Sequence, residues 1–174
     1  MGDMTMTKRA RRVLVSVAAV AIAVIGFFGW YRIHFAMGHA EEYSVNDPSS
    51  ARRVLIATQG SAFKDAVVSG LVQRLKQRPI FVRVVDVGAL SSVKESEWDA
   101  IVVLHTIEYG RAPAAAQAFV DRAADPRRVV VLSTSGGGDF KIEGIDAISS
   151  ASRMTDVSTR VDELIARIDA ALAH

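Results

Sequence analysis

Hydrophobic and polar positions divide the chain into three stretches. In the first, residues 13–31 (VLVSVAAVAIAVIGFFGWY) carry no charge, and at about 1.5 Å per residue a helix of that length covers roughly 28 Å, close to a bilayer core. The pattern predicts a single transmembrane helix over 13–31. The second stretch, 32–51, is polar around MGHAEEYSVNDPSS and includes Pro48, which predicts a linker. The third, 52–174, alternates short apolar runs with helical spacing. Residues 54–57 form a four-residue apolar run, QGSAFKD follows as a loop, and Phe63, Val67, Leu71 and Leu75 recur every four residues along one helical face. PIFVRVVDVGAL from Pro79 predicts a second strand rich in β-branched residues. WDAIVVLHT predicts a third, with 101–104 apolar on both faces as in a buried parallel strand. A helix is predicted from Pro113 with Ala116, Phe119, Val120 and Ala123 inward, then a fourth strand over 129–133 and a short fifth at DAIS. A last helix follows over about 158–173, with Val161, Leu164, Ile165, Ile168 and Leu172 on one side and Asp156 as its cap. Strands alternating with helices predict an α/β fold, a doubly wound parallel sheet of four to five strands.

Charge gives the first stretch a direction. Lys8, Arg9, Arg11 and Arg12 precede the apolar run, Arg32 alone follows closely, and Trp30 and Tyr31 suit an interface. The positive-inside bias places residues 1–12 in the cytoplasm and the folded domain outside, so that the protein is expected as a single-pass component of the inner membrane with a periplasmic or extracellular domain. A cleaved signal peptide is the rival reading, with GHA at 38–40 as the cleavage candidate. The absence of cysteine fits either export route. Five of the 21 basic residues and one of the 19 acidic residues lie at or before Arg32. The remainder therefore carries 16 against 18, and the basic character belongs to the head and not to a nucleic-acid-binding face.

In a sheet of this kind ligands bind at the carboxyl ends of the strands, near the switch in strand order. Here that selects the loops 58–65, 105–111 and 133–139. His105 stands near Glu108, yet a lone histidine at a strand end reads first as a hydrogen-bonded structural residue. A metal site lacks ligands, because there is no cysteine and the carboxylates are scattered. STSGGG has no Gly-x-Ser-x-Gly elbow, which leaves its glycines to serve a sharp turn or a close approach of backbone to ligand. No residue is assigned a catalytic role.

Over roughly 53–138 the chain resembles the flavodoxin family, through TQGSAFKD after the first strand, WDAIVVL leading into the third, and the loop beyond it. The resemblance implies an FMN site in which Thr58, Gly60 and Ser61 meet the phosphate and Lys64 adds charge. It further implies Tyr109 and Gly110 against the isoalloxazine, with Ser135, Gly136 and Gly137 at its other edge. HTIEYGRAPAAAQAFV looks like the flavodoxin-like protoporphyrinogen oxidases, which act on the cytoplasmic side, opposite to the topology read here. Ala62 and Phe63 stand where the family's phosphate loop has its last polar groups, so TQGSAFKD reads alternatively as a plain strand-to-helix turn capped by Ser61.

DAISSAS resembles a second, unrelated signature, at which a flavin transferase attaches FMN through a phosphoester outside the cytoplasm. Asp146, Ser149, Ser150 and Ala151 match it, and Ser152 would be the acceptor. The alternative is a short strand capped by residues 149–152. Together these readings imply a membrane-anchored flavoprotein of electron transfer, with FMN held noncovalently or covalently at Ser152 and a membrane redox protein as partner. The competing expectation is a cofactor-free flavodoxin-like module serving as an interaction or assembly subunit of an envelope complex.

Overall fold

In a computed structural model the described residues are 8–35, 38–139 and 147–174, and they fall into two units, 1–37 and 38–174. The uncharged run of the first unit folds as helix α1 (Lys8–Phe35) of 28 residues. Its large apolar side chains between Leu14 and Phe28 are exposed on every side. Among the described residues no helix is long and apolar enough to cross a membrane.

The second unit holds β1 (Tyr43–Val45), β2 (Arg52–Thr58), α2 (Ala62–Leu75), β3 (Ile80–Asp86), β4 (Ala100–Thr106), α3 (Ala114–Asp121), β5 (Val129–Thr134), β6 (Ala147–Ser150) and α4 (Val157–Leu172). The six described strands form one sheet in the order β1-β3-β2-β4-β5-β6. All neighbours from β3 to β6 run parallel, while β1 is antiparallel to β3. Counted along the chain without β1, the parallel strands stand in the order 2-1-3-4-5, which is the flavodoxin-like arrangement. The fold is therefore α/β and flavodoxin-like, with two strands at its centre covered on both faces.

Alternation along each strand decides which helix it meets. Val54 and Ile56, with Val82, Val84, Val102, Leu104 and Leu132, pack under α2 and α4 against Phe63, Val67, Leu71, Leu164 and Ile168. Leu55, Ala57, Val85, Ile101, Val103 and Val131 face the other way, against Phe119 of α3, Leu90 and Trp98. β4 and β5 are apolar on both faces because both are covered, as the sequence pattern required.

Three features depart from the sequence reading. The stretch read as linker contributes β1, a sixth strand, registered with Tyr43 opposite Val84 and Val45 opposite Val82. Just beyond it Asn46, at φ 68°, donates its Nδ2 to the carbonyls of Arg78 (3.0 Å) and Ile80 (2.8 Å). Secondly, VGAL is not a continuation of β3 but the start of a 3-10 helix, Val87–Ser92, and no α-helix joins β3 to β4. That segment is tied to the end of α3: Arg122 donates to the carbonyls of Leu90 and Val93, and Glu95 accepts from the amides of Ala124 and Asp125. Thirdly, Asp156 holds the N-cap position of α4 but makes no side-chain capping bond, because a 3-10 turn, Met154–Asp156, leaves it in the helical region (φ −92°, ψ −6°).

Candidate functional site

The carboxyl edge of the sheet collects the chain's buried polar residues: Thr58, His105, Ser133, Thr134, Ser135 and Ser150 end four strands or follow them, and Lys64 reaches in from α2. Register sorts them by face. Thr106, Thr134 and Ser150 lie side by side under α2 and α4, whereas His105, Ser133 and Ser149 form the corresponding row on the opposite face.

At the first loop the Thr58 and Ser61 hydroxyls, the Gly60 amide and the Lys64 ammonium each make a hydrogen bond within the protein. Thr58 Oγ1 donates to the Gln59 carbonyl (3.2 Å), and Ser61, an extended N-cap, accepts from the Lys64 amide (3.3 Å). Gly60 donates to the Gly38 carbonyl at 2.8 Å, and Gly38 returns a bond to Gly60 O at 3.1 Å. A Cβ on Gly60 would stand 2.7 Å from Gly38 O, so glycine here serves the crossing of the chain itself. Lys64 is 1% exposed and donates from Nζ to Thr106 Oγ1 at 2.7 Å. Burial lowers its pKa to about 8, against the raising pull of Asp65 and Glu108. Thr106 Oγ1 lies 3.0 Å from Thr134 Oγ1, which donates to the His105 carbonyl, and the ammonium thus heads a hydrogen-bonded chain across two strands. Thr58, Gly60, Ser61 and Lys64 are brought together as the sequence reading asked, with the Thr58 and Ser61 hydroxyls, the Gly60 amide and the Lys64 ammonium bonded within the protein.

On the other face His105 is fully buried, with Nε2 2.9 Å from Ser133 Oγ. Its pKa falls to about 4, chiefly through desolvation and with a smaller lowering from the Lys64 charge, against the raising pull of a backbone hydrogen bond with Thr106. Among the described residues the buried side-chain atoms left without a partner are His105 Nδ1, Ser150 Oγ, Arg53 Nε and Arg160 Nε. The first two mark the β4 and β6 ends of the carboxyl edge; the sequence reading took His105 as structural and Ser150 as part of the attachment signature, and strand register places Ser150 beside Thr134.

Tyr109 and Gly110 form the tip of a two-residue turn, with φ of 51° and 74°, closed by paired bonds between Glu108 and Arg111. The Tyr109 ring is 95% exposed. Ser135, Gly136 and Gly137 follow β5: Ser135 donates its amide to Ser150 O (3.1 Å), and its hydroxyl accepts from Gly138 N (2.9 Å). Gly138, at φ 79°, is the residue of this loop that requires glycine, and a Cβ there would come 3.0 Å from Ala151 N. Gly136 is exposed with open space around it. Ser152 stands just past β6 at the same edge, exposed and in the left-handed region at φ 56°. Asp146, the first position of the attachment signature, lies outside the described residues. Among those residues no three His, Asp or Glu side chains stand close enough to hold a metal ion.

No protein-family model and no curated protein matches the chain. Solved structures do. The flavodiiron core of Flv1 from Synechocystis superposes with a TM-score of 0.53 at 14% identity, over 72% of this chain and 36% of that one. A flavodoxin from the domain Archaea aligns at 15% identity over 70% and 99% of the two chains, with a TM-score of 0.45. General stress protein 14 of Treponema denticola, solved in complex with FMN, aligns at 12% identity over 69% and 99%, with a TM-score of 0.40. The chain spans about a third of the flavodiiron core's length. The first likeness agrees with the strand order: the fold is flavodoxin-like.

Proposed function

We propose that this chain is a membrane-anchored flavoprotein of electron transfer, which holds FMN at the β5–β6 end of its sheet through a phosphoester on Ser152. The observation that carries this reading is the place of Ser152: a hydroxyl exposed to solvent, on a left-handed residue, directly after the last strand at the ligand edge of a flavodoxin-like sheet. Attachment forms a bond from Ser152 Oγ to phosphorus while the bond from phosphorus to the donor's leaving group breaks and the hydroxyl proton passes to base. Bound there, FMN would supply one- and two-electron chemistry. The protein's part is to present the hydroxyl, to brace its approach through the Ser135–Ser150 and Ser135–Gly138 bonds, and to offer the open Gly136 backbone after β5 and the exposed Tyr109 after β4 on the same edge of the sheet.

Anchoring rests on the uncharged run of 13–31, on the basic residues before it, and on a helical backbone that continues to Phe35. It places the domain outside the cytoplasm, where the transferase acts, and beside a membrane redox partner.

A second reading, a cofactor-free interaction module, is favoured by the self-satisfied first loop, with Gly60 bonded to Gly38 and Lys64 filling the crevice. The two part in one experiment. The full chain is produced with and without a flavin transferase and precipitated in acid. Flavin absorbance in the pellet, dependent on the transferase and absent in Ser152→Ala, is the expected result. A colourless pellet from the wild-type chain made with the transferase rejects the attachment and leaves the module.

A further inference from the structure

Arg53 enters β2 at the amino edge of the sheet, the end opposite to the loops described above. Its backbone is fixed from both sides: the amide donates to Asp99 Oδ2 (2.8 Å) and the carbonyl accepts from the Asp99 amide (2.9 Å). Strand alternation turns its side chain to the face of Leu55 and Ala57. There Phe81, its register partner on β3, and Trp98, just ahead of β4, are both buried and stack with centroids 6.1 Å apart. The Arg53 guanidinium carbon lies 5.1 Å from each ring centroid, within the range of a cation–π contact.

The charge held there meets no carboxylate. Arg52 pairs with Asp99 (3.3 Å), Arg78 with Asp169 (2.6 Å), and Arg127 and Arg128 with Asp125 (2.9 and 3.6 Å), so four neighbouring arginines at the amino ends of β2, β3 and β5 are matched from within. Among the described residues the Arg53 side chain makes no hydrogen bond or ion pair. Its Nε is enclosed without an acceptor, and the two terminal nitrogens, which are not enclosed, have none either. Packing against the rings fixes the fork before a partner arrives, so pairing costs little side-chain entropy, and the planar fork can donate two parallel bonds to one carboxylate. Arginine set against aromatic rings is also the composition of an interface hot spot. We infer that Arg53 anchors a docking surface at the amino edge, which takes a glutamate or aspartate carboxylate from an acidic segment of a partner protein. Flavin at Ser152 does not enter this placement, since the amino edge is at the far end of the strands.

The test uses the full chain in detergent, made without a flavin transferase and carrying Trp30→Phe, which leaves Trp98, against the Arg53 guanidinium, as its single tryptophan. Binding to the basic residues 8–12 then stays out of the signal. Trp98 emission is followed during titration with a hexaglutamate peptide, with hexaglutamine and inorganic phosphate for comparison. A saturable change with hexaglutamate, and none with hexaglutamine, is expected. Arg53→Gln and Arg53→Lys are each expected to raise the dissociation constant by at least about tenfold, because glutamine removes the charge and lysine the paired donors. Arg74→Gln removes an equal charge from α2, on the opposite face of the sheet, and is expected to leave the constant within about twofold. Melting temperatures establish folding, and either folded Arg53 variant suffices. The inference is overturned by the lack of a saturable change with hexaglutamate, by unchanged affinity in a folded Arg53 variant, or by an equal loss in Arg74→Gln. A response to phosphate without one to hexaglutamate overturns it in favour of a free-anion site. Acid-stable flavin on Ser152 is scored separately and is unaffected by any of these results.

Discussion

At His105 the chain buries an imidazole whose ordinary pKa of 6.5 falls to about 4, because no water reaches it and Lys64 adds a like charge. Between those two values the unfolded chain binds a proton that the folded chain refuses, so stability falls as pH drops from about 6.5 toward 4. The full shift corresponds to about 3 kcal/mol as an upper figure. Replacing the ring by His105→Asn is expected to cost roughly 1 kcal/mol at pH 8, through the lost Ser133 bond, and to flatten stability across the acid window. Denaturant melts at pH 4.5, 6 and 8 measure both effects, and an unchanged pH slope in the variant would assign the acid sensitivity elsewhere. The sequence pointed to His105 as a structural residue, a lone histidine at a strand end with only Glu108 nearby. It gave no sign of Lys64 as a buried group. A lysine in the first turn of a helix reads as solvated, and only the packing of α2 on the sheet shows that its ammonium is buried and donates to Thr106 of β4.

Elements with long or doubly apolar patterns were legible in advance, and elements without them were not. The four-residue spacing of Phe63, Val67, Leu71 and Leu75 marked the inner face of α2, and all four are buried. β1 escaped because three residues are too few to show a period and the strand pairs along one edge only. The 3-10 segment after β3 was read as strand because VGAL continues the apolar run, although Asp86 caps it and Gly88 weakens any extended continuation. Packing between α2 and α4 has its own test. A Cβ on Gly70 would lie 2.7 Å from Cγ2 of Val161, which is buried and, being β-branched, has few rotamers to retreat to. Gly70→Ala gains about 1 kcal/mol of helix propensity and loses about 1–3 kcal/mol to overpacking, for a net loss of about 1 kcal/mol. Val161→Ala should restore tolerance of Gly70→Ala in a double-mutant cycle. Additive losses would show that the helices do not meet at that pair.

For the molecule as a whole, sequence alternation was enough to specify a doubly wound sheet, because β2, β4 and β6 are each followed by a helix and β3 by a 3-10 segment, and these pack on its faces. The strand order 2-1-3-4-5, and with it the place of the switch point, emerged only from pairing. The loops 58–65, 105–111 and 133–139 lie at the carboxyl edge of the sheet, but their chemistry divides between the two sides. In the first loop the Thr58 and Ser61 hydroxyls and the Gly60 amide bond within the protein, while Ser152 after β6 and Tyr109 after β4 are open to solvent. Anchoring is tested at this scale. With the 13–31 run intact, the full chain should stay in the membrane pellet through alkaline carbonate extraction, and deletion of 1–37 should release the domain. Recovery of the intact chain in the carbonate supernatant would count against a spanning helix.

Most direct for the central claim is the intact mass of the full chain purified from cells that contain a flavin transferase, followed by mapping of the peptide that spans β6 and the start of α4. One FMN less one water, carried on that peptide at Ser152 and missing from Ser152→Ala, is the expected result. An unmodified mass, or flavin carried on another residue, would contradict the account.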